Sequence, residues 1–366
     1  MKQLINARRL SHAMRIGNLA KLPILLVSGK GLQHVLFSKP QSLEKVISVV
    51  WVIILLFLII PGSFALNPFS YPQYNTIMQT SNQPNKDTGI NKSIIASGAT
   101  PVLISDQFSF TEGPATDKEG NVFFTDQPDN KIWKYDTDGR LSVFMEKSGR
   151  SNGLYFDKKG NIIACADEHN QLWQISPDKK VKVLVEDYDG KTFNGPNDVW
   201  VDPINGGIYF TDPFYKRDYW EKDHPPMRKQ NVYYLPKNKK KPIPVETEIE
   251  KPNGIIGAPD GRFLYIADIG ARKIFKYRID KDGRLTDKQL FANHQTDGMT
   301  IDNEGNIYLA GKGVTVYNPQ GELIEQISIP EDWTANVCFG GKKKDLLFIT
   351  ASKSIYTLQM NVKGVQ

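Results

Sequence analysis

The strongest constraint on the fold is a segment that recurs six times, in order, along this 366-residue chain. The copies "EGPATDKEGNVFFTD", "NGLYFDKKGNIIACA", "NDVWVDPINGGIYFTD", "NGIIGAPDGRFLYIAD", "DGMTIDNEGNIYLAG" and "NVCFGGKKKDLLFIT" begin at Glu112, Asn152, Asn197, Asn253, Asp297 and Asn336. Each opens on a polar residue, runs through a short apolar stretch, reverses at a turn and ends in β-branched and aromatic residues. The opening residue and the turn glycine are eight positions apart in four copies: Glu112 and Gly120, Asn152 and Gly160, Asn253 and Gly261, Asp297 and Gly305. The third copy has one extra residue before Gly206, and the sixth carries Lys344 where the glycine would stand.

A further apolar run follows most copies: "KIWKYD", "QLWQIS", "NVYYLP", "KIFKYRI", "VTVYN" and "SIYTLQ". The Asp-Gly, Lys-Gly and Asn-Gly turns are those of antiparallel hairpins. Six meanders of about 40 residues predict an all-β fold, a six-bladed β-propeller with four-stranded antiparallel blades. No window of the repeat sustains a helical period, which disfavours a solenoid. The stretch "TPVLISDQFSF" before Glu112 is expected to close the last blade with an N-terminal strand, so the propeller is read as residues 99–366.

Residues 1–45 carry eight Lys or Arg against one acid, Glu44, while the remainder has 38 basic and 39 acidic residues. The basic excess belongs to the leader, and nucleic acid is excluded as a partner of the propeller. The leader runs into "VISVVWVIILLFLII", residues 46–60, where only Ser48 is polar. That is short for a membrane span, which takes roughly 20 residues. Followed by "PGSFA", it is expected to be an export signal cleaved after Ala65, making residues 1–65 the leader and the folded part periplasmic or secreted. An uncleaved anchor through residues 46–60 is the alternative. Residues 66–98 are polar and aperiodic, as in a flexible tether. Cys165 and Cys338 both lie in apolar strand-like runs and are expected to be buried free thiols.

In a propeller the first strand of each blade lines the central channel. The six opening residues therefore converge as one polar ring at one mouth. Two carboxylates held together there need a compensating cation or proton, and Asn amide oxygens complete a coordination shell without adding repulsion. Glu112, Asn197, Asn253 and Asp297 form an all-oxygen set for one divalent cation. Ca²⁺ is expected, with Mg²⁺, Mn²⁺ or Zn²⁺ as alternatives.

The motifs "TEGPATD", "GRSNGLYFD", "NGPNDVWVDP", "IYFTDPFY", "KPNGI" and "TDGMTID" resemble, in order and spacing, those of the gluconolactonase branch of the regucalcin-like (senescence marker protein) six-bladed propellers. The resemblance implies a single divalent cation at the channel mouth and hydrolysis of a small-molecule sugar lactone. It places Glu112, Asn197, Asn253 and Asp297 at the metal. The cation would polarise the lactone carbonyl and lower the pKa of a bound water, with Asp297 as the general base.

Asn152, Asn336, Arg150 and His169 are the expected substrate contacts, Asn336 being equally suited to a structural role. Asp126, Asp212 and Asp268, which end second strands, are read as turn-forming rather than ligating. The aromatic, Pro-containing segment Asp212 to Gln230 is expected to be a lid. A non-catalytic sugar-binding propeller and a broader paraoxonase-like esterase are the competing functions. No stable protein partner is expected.

Overall fold

Each of the six repeats forms the innermost strand of a blade and the strand next to it. The computed structural model describes residues 24–28, 31–35 and 93–366. The chain divides into two units, Met1–Lys86 and Asp87–Gln366. The described part of the first is an antiparallel hairpin, Ile24–Ser28 with Gly31–Val35. The expected export segment 46–60, the cleavage position after Ala65 and the tether to residue 92 lie outside the described residues. Among the described residues no helix is long and apolar enough to cross a membrane.

The second unit is a six-bladed β-propeller of four-stranded antiparallel sheets. The inner strands are Thr111–Thr116, Ser151–Phe156, Val199–Val201, Pro252–Gly257, Met299–Ile301 and Thr334–Gly340. Each packs against the next, and the sixth packs against the first. Closure follows the expected route: Val102–Ser105 adds to Ser354–Gln359 as the outer strand of the sixth blade. Residues 93–98 also join that blade. Ile95 bridges Met360, and Ile94 is buried among its apolar residues.

The core lies between blades, where apolar faces of neighbouring sheets meet. Trp200 and Tyr209 of the third blade share one cluster with Ile255 and Tyr265 of the fourth and Met299 and Leu309 of the fifth. Both cysteines are buried and free, Cys165 and Cys338 in separate clusters.

What positions the mouth is a bulge in the inner strand. In the first blade Glu112 pairs with Thr125 but Ala115 pairs with Phe123, so the inner strand carries one extra residue. The same offset separates Ser151 from Leu154 and Pro252 from Ile255. Bulges re-aim side chains and bend the strand, and here they turn Glu112, Asn152 and Asn253 out of the sheet pattern at the channel end.

The glycine after each of these residues serves the neighbouring blade. A Cβ on Gly113 would sit 2.1 Å from the carbonyl oxygen of Asn152, and one on Gly254 would sit 2.2 Å from that of Asp297. Freed of side chains, the glycines donate across the seams: Gly153 N–H to Asn197 O at 2.7 Å, Gly254 to Asp297 O at 2.9 Å and Gly298 to Ala335 O at 2.8 Å. Gly254→Ala is expected to cost roughly 2 kcal/mol or more by forcing this seam apart. Thermal unfolding followed by circular dichroism reads it as a drop of several degrees; melting unchanged within about a degree would show that the seam yields at no cost.

Candidate active site at the channel mouth

Glu112, Asn152, Asn197, Asn253 and Asn336 are buried at the mouth, and Asp297 keeps part of its surface open. Asn253 donates from Nδ2 to the Tyr215 hydroxyl at 2.8 Å. The Trp333 indole N–H donates to Asp297 Oδ2 at 2.7 Å. Glu112 accepts the Gly113 N–H at 3.1 Å. Asn197 is fixed by its backbone, donating to Thr211 O at 2.9 Å and accepting from Gly153.

The electrostatics are those of an undercompensated acidic pocket. Burial, and then the neighbouring Asp297 charge, push the Glu112 carboxyl well above the usual range. Asp297 is pushed up to about 6, chiefly by burial, with the Trp333 hydrogen bond and the neighbouring Asn253 holding it down. A third carboxyl, Asp198, lies beside them. Burial raises it to about 7, although it accepts the backbone N–H of Val199 at 2.9 Å and of Ile255 at 3.3 Å. Asn336 Oδ1 accepts the N–H of Val337 at 2.8 Å.

The segment after Asp212 crosses from the third blade to its neighbours. Arg217 Nε donates to Asp167 Oδ2 at 3.0 Å, the Tyr219 hydroxyl donates to the same oxygen, and Trp220 Nε1 donates to Asp167 O at 3.1 Å. Lys222 Nζ donates to Asn194 O at 2.7 Å. Tyr215 reaches Asn253 on the fourth blade. The segment expected to be a lid is tied down through a residue that the sequence reading did not single out, Asp167.

Arg150 belongs to the same anchorage: its guanidinium donates to Pro128 O, lies 3.7 Å from Glu168 and stacks over the Tyr219 ring at 4.6 Å. Asn152 uses its backbone carbonyl to accept from Thr125 Oγ1 at 3.0 Å. His169 is half-exposed and stacked on Trp173, with ring centroids 5.2 Å apart. None of its contacts is with the ring of polar residues.

The second-strand acids are clamps. Asp126 accepts the N–H groups of Ser109 and Phe110, Asp212 those of Asn194 and Gly195, and Asp268 those of Glu250 and Lys251. Each ties the entry of its blade to the end of the second strand.

Among the described residues no cluster of three or more His, Cys, Asp or Glu side chains is arranged for a metal. The mouth set is of another kind, two carboxylates with two carboxamides. Its donor chemistry fits a hard, oxygen-preferring dication, and the upward push on both Glu112 and Asp297 marks the positive charge such an ion supplies.

The comparisons place this six-bladed propeller in a family. The chain belongs to the family described as SMP-30/Gluconolactonase/LRE-like region, whose pattern matches residues 110–353. It is 30% identical over 298 residues to a gluconolactonase of Zymomonas mobilis, spanning 73% of this chain and 83% of the relative. A solved gluconolactonase from Xanthomonas campestris superposes with TM-score 0.67 at 26% identity, over 73% of this chain and 91% of that one. A regucalcin from Agrobacterium tumefaciens, described as calcium-binding, shares the fold with TM-score 0.61 at 20% identity, over 74% and 95%. The chain is thus a lactonase.

Two outcomes test this geometry. Asp167→Ala removes the acceptor for Arg217 and Tyr219 and is expected to speed tryptic cleavage within residues 216–229 while leaving the blades intact; unchanged cleavage would mean the lid is held elsewhere. Asp198 titrates above its ordinary 3.8, so the stability it contributes is complete below that value and lost as pH rises through about 7. Asp198→Asn is therefore expected to flatten the fall in melting temperature between about pH 4 and about pH 7, and a variant curve parallel to the parent's would contradict it.

Proposed function

We propose that the mouth opens gluconolactone or a related aldonolactone to its hydroxy acid, with one divalent cation, Ca²⁺ by preference, held by Glu112, Asn197, Asn253 and Asp297. The observation that carries the reading is the pair of carboxyls, Glu112 and Asp297, both driven upward in one pocket that also holds two carboxamides. Bound there, the cation supplies Lewis-acid polarisation of the lactone carbonyl and lowers the pKa of water.

The protein's own groups do the rest. Asp297, titrating near 6, is ionised at neutral pH and close enough to it to accept a proton from the attacking water. Trp333 holds that carboxylate in one orientation. The water oxygen bonds to the carbonyl carbon, the ring C–O bond breaks, and the departing alkoxide takes up the proton that Asp297 accepted, which restores the carboxylate. Tyr215 and Trp220 of the lid wall off the mouth, which strengthens the charge interactions inside it. Similarity to gluconolactonases supports hydrolysis over the non-catalytic sugar-binding alternative. The basic leader and the apolar run at 46–60 support export of this domain.

The test is hydrolysis of gluconolactone by the full chain, after chelation and again with Ca²⁺, Mg²⁺, Mn²⁺ or Zn²⁺ restored. Activity is expected to vanish with chelator and return with metal. Asp297→Asn is expected to lose roughly 10²–10⁴-fold in kcat. Chelator-resistant turnover would overturn the metal assignment, and an active Asp297→Asn would overturn the base.

A further inference from the structure

Two cations stand at this acidic mouth with charge to spare. The Lys251 ammonium lies 3.6 Å from the centre of the Tyr215 ring, and the Arg217 guanidinium lies 5.6 Å from the same ring. Tyr215 in turn hydrogen-bonds Asn253, so both cations are one aromatic ring away from the carboxylate and carboxamide set. Both residues are half-buried.

Their pairing is incomplete. Among the described residues Lys251 makes no ion pair and no side-chain hydrogen bond, and a π face holds its ammonium without neutralising it. Arg217 spends only Nε, on Asp167, which leaves both terminal nitrogens of its fork free to take an oxyanion side-on. With the charges of Glu112 and Asp297 matched by a dication, as proposed above, Lys251 has no carboxylate in contact with its ammonium among the described residues. Placing a cation there without one makes sense if the ligand brings the anion.

We infer that Lys251 and Arg217, both held against the Tyr215 ring, form a subsite for a second anionic group, so that the preferred substrate is a sugar lactone carrying a phosphate, sulfonate or carboxylate away from the reacting carbonyl. This rests on lactone hydrolysis at the mouth. Lys251 and Arg217 are specificity residues; the bonds that form and break stay with the groups already described.

The test compares gluconolactone with gluconolactone phosphorylated on its terminal hydroxyl and with glucarolactone, using the metal-loaded full chain. The anionic lactones are expected to show the lower KM, and the advantage is expected to shrink as salt is raised. Lys251→Met is expected to raise KM for the anionic lactones roughly tenfold, the size of one charge-assisted contact, and to leave gluconolactone unchanged; Lys251→Arg is expected to restore the preference. Phosphate preferred over carboxylate, or the reverse, tells which anion the subsite takes.

Equal losses on neutral and anionic lactones would overturn the inference, because the cations would then serve the reacting carbonyl or the fold. No loss on either would overturn it too. Calorimetric binding of gluconate and of its phosphorylated counterpart reads the subsite without turnover. Tighter binding of the phosphorylated acid that Lys251→Met abolishes would support it even if no lactone were hydrolysed, and equal binding would sink it.

Discussion

The mouth depends on how closely six inner strands can approach one axis. Three of the seams are closed by a glycine N–H reaching the carbonyl of the next blade, from Gly153, Gly254 and Gly298. No side chain fits there. The residue just before each glycine is therefore the nearest position that can carry chemistry, and the bulges beside it present that residue to the channel. Asn152, Asn253 and Asp297 stand immediately before such a glycine, and Glu112 stands before Gly113, whose missing side chain leaves room for the Asn152 carbonyl, so the close approach of the blades also gathers the polar set.

That arrangement works against stability in return for reactivity. Glu112, Asp198 and Asp297 are all displaced upward by being enclosed together. Fixed acids in a pocket that water cannot fully solvate are costly until a cation arrives. The surrounding clamps at Asp126, Asp212 and Asp268, each accepting backbone N–H groups where its blade begins, hold the frame that carries this cost.

The frame was legible in the sequence because the repeat is local. Each copy's opening residue proved to lie at the mouth, each later apolar run became a third strand, as in Lys131–Tyr135 and Ser354–Gln359, and Val102–Ser105 closed the ring. The outer strands were harder to see: Leu285–Ala292 is largely polar and exposed, and Val181–Val185, though mostly apolar, faces solvent along much of its length. What was missed at the site is what comes from outside the repeat. Trp333 reaches Asp297 from a loop, and Tyr215 and Arg217 come from an insertion, where no periodicity predicts a partner. Asp198 did leave a trace, as the residue standing where the other copies near it put glycine. Asp167 is likewise displaced by one position from the acids at Asp126 and Asp212, and it points to the lid instead of clamping its own blade.

Closure by the strand Val102–Ser105 gives the molecule a particular relation to its own synthesis. Thr111 Oγ1 donates to the carbonyl of Ser354 across 243 positions of chain, and the first blade has no neighbour on one side until that partner has been made. Glu112 leaves the ribosome early and Asp297 late, yet neither faces the other until the sixth blade folds against the first. A chain stopped anywhere before residue 359 has acids on open, unpaired sheets and no mouth. Catalytic competence in this way requires that the sixth blade has been made and has folded against the first.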